Sequence, residues 1–276
     1  MRSARPTRGG PISLIRRLTA EGIGSLLLAA TVIGSGIMAE RLAEGNTAVA
    51  LLANTAATVA VLAVLIALLA PLSGAHFNPA VSLVQALRRA LPWSEAGAYA
   101  LVQIVGCCLG GFLAHAMFAL PWLQPSLHVR AGPAQWLSEG VATFGLLLVV
   151  LGHRRPSDAP WMVAGWIGAA YWFTASTSFA NPAITIARSL SDTFAGIRPH
   201  DVPMFVVAQL IGAVAALYLA RYLFASAAET ADKVTHPIDK GRHHAQVRDR
   251  DHRLARRGDD ALSLPATHDG EAQRSG

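Results

Sequence analysis

Ser73-Gly74-Ala75-His76-Phe77-Asn78-Pro79-Ala80-Val81 follows an apolar run long enough to cross a membrane and leads, through one short apolar segment, to the basic pair Arg88-Arg89. The tripeptide Asn78-Pro79-Ala80 recurs 103 residues later as Asn181-Pro182-Ala183, again opening an apolar segment too brief to span a bilayer. Asn is a favoured helix N-cap and Pro a favoured first helical residue, so each copy reads as a helix start. About 10 residues at 1.5 Å each give roughly 15 Å, half the hydrocarbon thickness. One such tripeptide says nothing of fold. Two, at matching places in a duplicated membrane chain, specify half-helices meeting inside the bilayer.

Composition supports the membrane setting. Of 276 residues, 53% are hydrophobic and 14% charged, with a mean hydropathy of +0.39. A soluble domain carries about a quarter charged residues. Six apolar stretches reach the roughly 20 residues a spanning helix needs, at about 18–39, 48–70, 96–119, 134–152, 160–178 and 203–225. The chain thus divides into an N-terminal segment 1–17, a membrane domain 18–225 and a charged tail 226–276, which reads as disordered and solvated. The basic N-terminus leads into a full-length span, unlike a cleaved signal peptide. The net charge of +6 does not indicate nucleic acid, because the basic residues flank spans without interleaved aromatics. Cys107 and Cys108 are adjacent in an apolar run, which suits small packing residues and neither a disulfide framework nor a zinc site.

Lys and Arg set the orientation. Arg2, Arg5, Arg8, Arg16, Arg17, Arg88, Arg89, Arg154, Arg155 and the tail gather on one side; Arg41, Arg130, Arg188 and Arg198 lie on the other. Both termini are therefore expected in the cytoplasm, with the protein in the inner (plasma) membrane. The landmarks also repeat. Glu21 and Ser25 in span one match Glu139 and Thr143 in span four; Gln103-Ile-Val-Gly106 in span three matches Gln209-Leu-Ile-Gly212 in span six. The halves, about 18–119 and 134–225, hold three spans each, an odd number, so the second enters from the opposite face. The fold class expected is an all-α membrane protein with six transmembrane helices, two half-helices and an inverted three-span repeat.

Irregular backbone at membrane depth is tolerated where it lines a wet cavity, so the carbonyls of His76-Phe77 and Phe179-Ala180 are candidates for a water path. The two helix N-termini bring about half a positive charge each to the centre. With the Asn78 and Asn181 amides as donors, such a centre admits neutral polar molecules and opposes cations.

These residues resemble the major intrinsic proteins, the aquaporin and aquaglyceroporin channels. The likeness covers roughly residues 15–225 and rests on Ser73-Gly-Ala-His-Phe-Asn-Pro-Ala-Val, both Asn-Pro-Ala boxes, Glu21, Glu139 and the paired Gln-x-x-Gly. It implies a homotetramer in the lipid bilayer, one pore per subunit, passive transport, and no cofactor or metal. It also makes Glu21 and Glu139 structural braces of the pore loops rather than proton carriers.

Members of the family usually place an Arg directly after the second Asn-Pro-Ala, at the selectivity filter. Here that residue is Ile184. The position twenty residues before Asn78 holds Thr58 where water-selective members carry Phe, and the position three before Asn181 holds Ser178. The remaining filter residue falls between Gly168 and Ala170, centred on Ala169. All are small or uncharged, so the expected constriction is wider and less charged than a water-only pore. Arg188 shares the Asn181 face roughly 10 Å further out; it either lines the outer vestibule or anchors the helix at the interface. The segment Thr174–Ile197 is similar to a bacterial subgroup associated with arsenic resistance, which implies conduction of arsenite, a neutral trihydroxy acid near glycerol in size. Thr185 stands where glycerol-type members usually have Asp.

The function expected is therefore a passive channel for small neutral solutes: trivalent metalloid acids, glycerol-like polyols and water. The alternatives are a water-selective aquaporin and an ion-coupled secondary transporter, for which Glu21 and Glu139 are the acids well inside spans. An intramembrane enzyme needs a nucleophile–base pair, and His115 and His153 have no evident partners in sequence.

Overall fold

The computed structural model describes residues 12–235, with side chains through Phe224. Arg2, Arg5 and Arg8, and the tail beyond Thr235, lie outside the described residues. The helices in chain order are α1 (Leu14–Leu42), α2 (Thr47–Ser73), α3 (Pro79–Leu87), α4 (Trp93–Met117), α5 (Pro133–Gly152), α6 (Ala159–Phe173), α7 (Pro182–Arg188) and α8 (Val202–Thr235). Six are membrane helices and two, α3 and α7, are half-helices. Five of the six are long and apolar enough to cross a membrane unaided. The unit that contains the cavity ends at Phe224; the described residues beyond it, through Thr235, are the helical end of α8. Helix therefore runs ten residues into the segment read from sequence as a disordered tail.

The exception among the spans is α6. The apolar run predicted a helix over 160–178, but α6 stops at Phe173 after 15 residues, roughly 22 Å. Its end has a local cause. Thr174 turns its hydroxyl back onto the Ala170 carbonyl (2.7 Å), and Thr177, Ser178 and Ala180 all take positive φ, which no helix can continue through. The seven residues 174–180 instead form a loop that returns the chain to membrane depth.

Close crossings hold the repeat together. α4 meets α1 at Gly106, where a Cβ would strike the Gly22 carbonyl; α8 meets α5 at Gly212, where it would strike the Gly140 carbonyl. These are the glycines of the two Gln-x-x-Gly motifs, each resting on the glycine that follows a span glutamate. The side chains pointing away from this interior, including Ile15, Val64, Leu101, Trp161 and Ile211, are large, apolar and exposed, as a lipid-facing surface requires.

Candidate functional site: a lined cavity between the half-helices

Each half-helix starts at its asparagine. Asn78 Oδ1 accepts from Ala80 N–H (2.9 Å), and Asn181 Oδ1 from Ala183 N–H (2.9 Å) and Ile184 N–H (3.4 Å), with proline at the first helical position both times. The amide nitrogens reach across. Asn78 Nδ2 donates to the Ala180 carbonyl (2.7 Å) and Asn181 Nδ2 to the Phe77 carbonyl (2.8 Å). The sequence reading left both amides free for a solute; in the structure one N–H of each clasps the opposite loop, and one remains.

The clasp is braced from behind by two fully buried glutamates. Glu21 accepts from Ser73 Oγ (2.6 Å), His76 N–H (2.9 Å), Phe77 N–H (2.7 Å) and Gln103 Nε2 (2.8 Å). Glu139 accepts from Phe179 N–H (2.9 Å), Ala180 N–H (2.9 Å) and Gln209 Nε2 (2.6 Å). Gln103 also donates to Ser82 and Gln209 to Thr185, each four residues after its asparagine. These bonds explain how Phe77 and Ala180 hold positive φ of 47° and 50°: strained backbone persists where its surroundings over-determine it.

The cavity between the halves has a volume of about 260 Å³. One wall is aliphatic: Leu28, Val32, Leu62, Val81, Leu146 and Ile167 all line it. The loops supply the other. Gly74, Ala75, His76, Ser178 and Phe179 line the cavity, and among the described residues no donor reaches their carbonyls. Backbone acceptors are rarely left unpaired inside a protein; along a cavity they offer a ladder of acceptors to water or hydroxyl groups. Phe77 and Ala180 carbonyls, by contrast, are taken up by the asparagine clasp.

Thr58, Ser178, Ile184 and Arg188 all line this cavity. Ala169 does not. On α6 the lining residues are Ala159, Val163, Ile167 and Tyr171, a stripe of period four, and Ala169 lies two residues off it, exposed on the outer face. The residue at that level is Tyr171, whose hydroxyl lies 3.3 Å from Thr58 Oγ1. The span-five position placed between Gly168 and Ala170 from sequence therefore falls off the lining stripe of α6.

Arg188 is not an interface anchor. Its side chain is buried, its Nε donates to the Ala195 carbonyl, and its guanidinium carbon sits 3.4 Å from the Phe179 ring centroid. It follows Ile184 by four residues, one helical turn, so it lies on the same face of α7. Of the two readings of Arg188, the structure shows the wall residue: the guanidinium absent at position 184 enters the cavity wall from position 188. Arg130, which the sequence gave no reason to single out, stacks over the same ring at 5.1 Å and donates to the Gly196 (2.8 Å) and Ser176 (3.1 Å) carbonyls. Burial lowers its pKa to about 10, so it stays charged at neutral pH. His115 does have partners. Its Nδ1–H donates to the Trp122 carbonyl (2.9 Å), and its Nε2 is hydrogen-bonded with Ser191 Oγ (2.8 Å). It pins the loop after α7 to α4.

Six membrane helices, two half-helices clasped at their N-termini and a polar-and-aliphatic cavity through their junction define a pore-forming membrane protein. The model of the major intrinsic protein family matches residues 11–175 and 158–247, and the chain belongs to that family: it is an integral membrane channel of the aquaporin and aquaglyceroporin kind, serving small solutes. It is 57% identical over 212 residues to the aquaglyceroporin AqpS of Rhizobium meliloti, covering 76% of this chain and 91% of that one. It is 29% identical to the probable aquaporin AqpM of Archaeoglobus fulgidus, covering 77% and 98%. Among solved structures it matches the aquaglyceroporin of Plasmodium falciparum with a TM-score of 0.59 at 19% identity, over 79% of this chain and 100% of that one, a likeness of fold alone. These relatives are channels, not enzymes.

Proposed function

We propose that the chain passively conducts small neutral polyhydroxy solutes, glycerol-like polyols and trivalent metalloid acids such as arsenite among them, together with water. The observation that carries this reading is the mixed chemistry of one wall: Ile184 offers an aliphatic surface, while Ser178 Oγ and Arg188 Nη1, both buried, have no hydrogen-bond partner among the described residues. A polyol presents the complementary pair, a carbon face and several hydroxyls. Unpaired donors cost free energy and are tolerable where a passing solute or water completes them. The likeness to a relative named an aquaglyceroporin supports the same solute class.

Thr58, Tyr171, Ser178, Ile184 and Arg188 form the filter in this reading, and the Asn-Pro-Ala boxes the central cation barrier. The protein acts as a homotetramer with one pore per subunit, in the inner membrane, with both termini cytoplasmic as the Lys and Arg distribution indicates.

One observation favours a water-only pore. The Tyr171 hydroxyl reaches to within 3.3 Å of Thr58 and narrows the wall where an alanine was expected. Swelling of proteoliposomes in water, glycerol and arsenite gradients decides. Flux of all three supports the polyol reading; water flux that excludes both solutes overturns it in favour of the narrow pore. Cross-linking in membranes to four times the subunit mass checks the tetramer.

A further inference from the structure

Two guanidiniums share one aromatic ring beside the cavity, and neither meets a carboxylate among the described residues. Arg188 is 2% exposed and Arg130 8%. Their side-chain hydrogen bonds go to carbonyls: Ala195 for Arg188, Gly196 and Ser176 for Arg130. Glu139, the buried acid behind the loop, has both oxygens taken by Phe179 N–H, Ala180 N–H and Gln209. Asp201 takes the backbone N–H of Arg130 and the side chain of Arg198. Burying a cation without a counterion is expensive, and proteins ordinarily offset it with a paired acid.

The pair instead leaves donors unused. Arg188 Nη1 is buried with no partner among the described residues, and Arg188 forms part of the cavity wall. Ser178 Oγ is in the same condition on the same wall. A neutral polyol can accept from these donors through its hydroxyls but leaves the charge of two guanidiniums uncompensated. An oxyanion accepts from the same donors and also offsets that charge, and guanidinium-to-oxyanion hydrogen bonds are about twice as strong as neutral ones.

We propose that this corner of the cavity is a binding site for a small inorganic oxyanion of the phosphate type, seated on Arg188 and Ser178, with Arg130, over the same Phe179 ring, adding positive field. The bound anion stands in for the missing carboxylate and obstructs the path that neutral solutes take. The site does not depend on which solutes the pore conducts.

The test is the ³¹P NMR line width of inorganic phosphate titrated with the full-length protein in maltoside micelles, chloride holding the ionic strength constant. Saturable broadening is expected in the native protein, weakened by at least about tenfold in affinity in Arg188→Gln and only a few-fold in Arg188→Lys, which keeps the charge but loses the fork. Ser178→Ala leaves the arginine packing untouched and is expected to weaken binding about threefold, which keeps the test open should Arg188→Gln fail to fold. No broadening in the native protein overturns the site, as does equal broadening in native and Ser178→Ala together with native and Arg188→Lys. Phosphate binding without glycerol swelling would remove the polyol reading alone; swelling without phosphate binding would remove the oxyanion site alone.

Discussion

Leu28, Val32, Leu62 and Val81 in the first repeat correspond to Leu146, Val150, Ile167 and Ile184 in the second, and all eight line the cavity. Three further lining pairs break the likeness: Thr58 against Val163, Ile66 against Tyr171, and Gln85 against Arg188. The repeats therefore share their aliphatic wall, their asparagines and their glutamate–glutamine braces and differ at these three pairs. The frame is symmetric, and the lining is not. The second repeat holds the phenol and the buried arginine, so discrimination among solutes is expected there.

The largest effect should come from the braces, where the repeats agree. Glu21→Leu strips the acceptor from four donors and Glu139→Leu from three. At about 1–3 kcal/mol for each buried donor left unpaired, both variants should lose most of their folded yield, Glu21→Leu the more. Thermal unfolding in detergent and the monodisperse fraction after extraction measure it. A Glu139→Leu protein less stable than Glu21→Leu would show that donor count does not set brace strength.

Next come the crossings. Gly106→Ala and Gly212→Ala each drive a methyl into a backbone carbonyl of the facing helix, an overpacking cost of about 1–3 kcal/mol. Equal losses of melting temperature are expected; a marked inequality would mean that the two helix pairs are not equivalent supports.

The filter should reveal the asymmetry. Ile184→Arg places a second cation one turn from Arg188 and should cut glycerol flux by roughly tenfold, more than it cuts water flux. The matching change, Val81→Arg in the first repeat, should do less to the ratio of glycerol to water. Equal effects on that ratio would place discrimination in both halves.

The smallest effect concerns the loop that carries Arg130. Burial pushes the Asp201 carboxyl up, but the Arg198 side chain and the Arg130 backbone N–H outweigh it and hold the pKa below the usual range. A depressed carboxylate stabilises the fold above its unfolded pKa, about 3.9, and loses that contribution as pH falls through the lower, folded value. Asp201→Asn should therefore lower the melting temperature slightly at pH 7, by an amount that shrinks as the pH falls below the unfolded value. A difference that does not shrink on acidification would assign the effect to packing rather than charge.

The scaffold was legible in the sequence because it is written twice. Asn78 and Asn181, Glu21 and Glu139, and Gln103 and Gln209 recur in one order, and the structure joins each set into one hydrogen-bonded unit. The cavity wall was harder to read. Thr174–Ser178 looks like the end of an apolar span, but small hydroxylated residues can bond to their own backbone and leave a helix, which shortens α6. The phase of its lining stripe, which passes through Tyr171 and not Ala169, is set by packing that sequence spacing does not reveal. Arg130 gave no local signal at all: its partners, Ser176, Gly196 and Asp201, are distant in the chain. Arg188 was visible by spacing, and only its packing on Phe179 distinguishes a wall residue from an anchor.

The crossed amides have a mechanical consequence. Asn78 is fixed to its own helix by its oxygen and to the other repeat by its nitrogen, and Asn181 does the same in reverse. They act as two rivets through the hinge line about which one half would have to rock against the other. A carrier that alternates its access would shear both rivets in every cycle, inside a membrane where the broken groups find few replacements. The molecule is jointed where a carrier would need to bend, and traffic through it must move past a stationary frame.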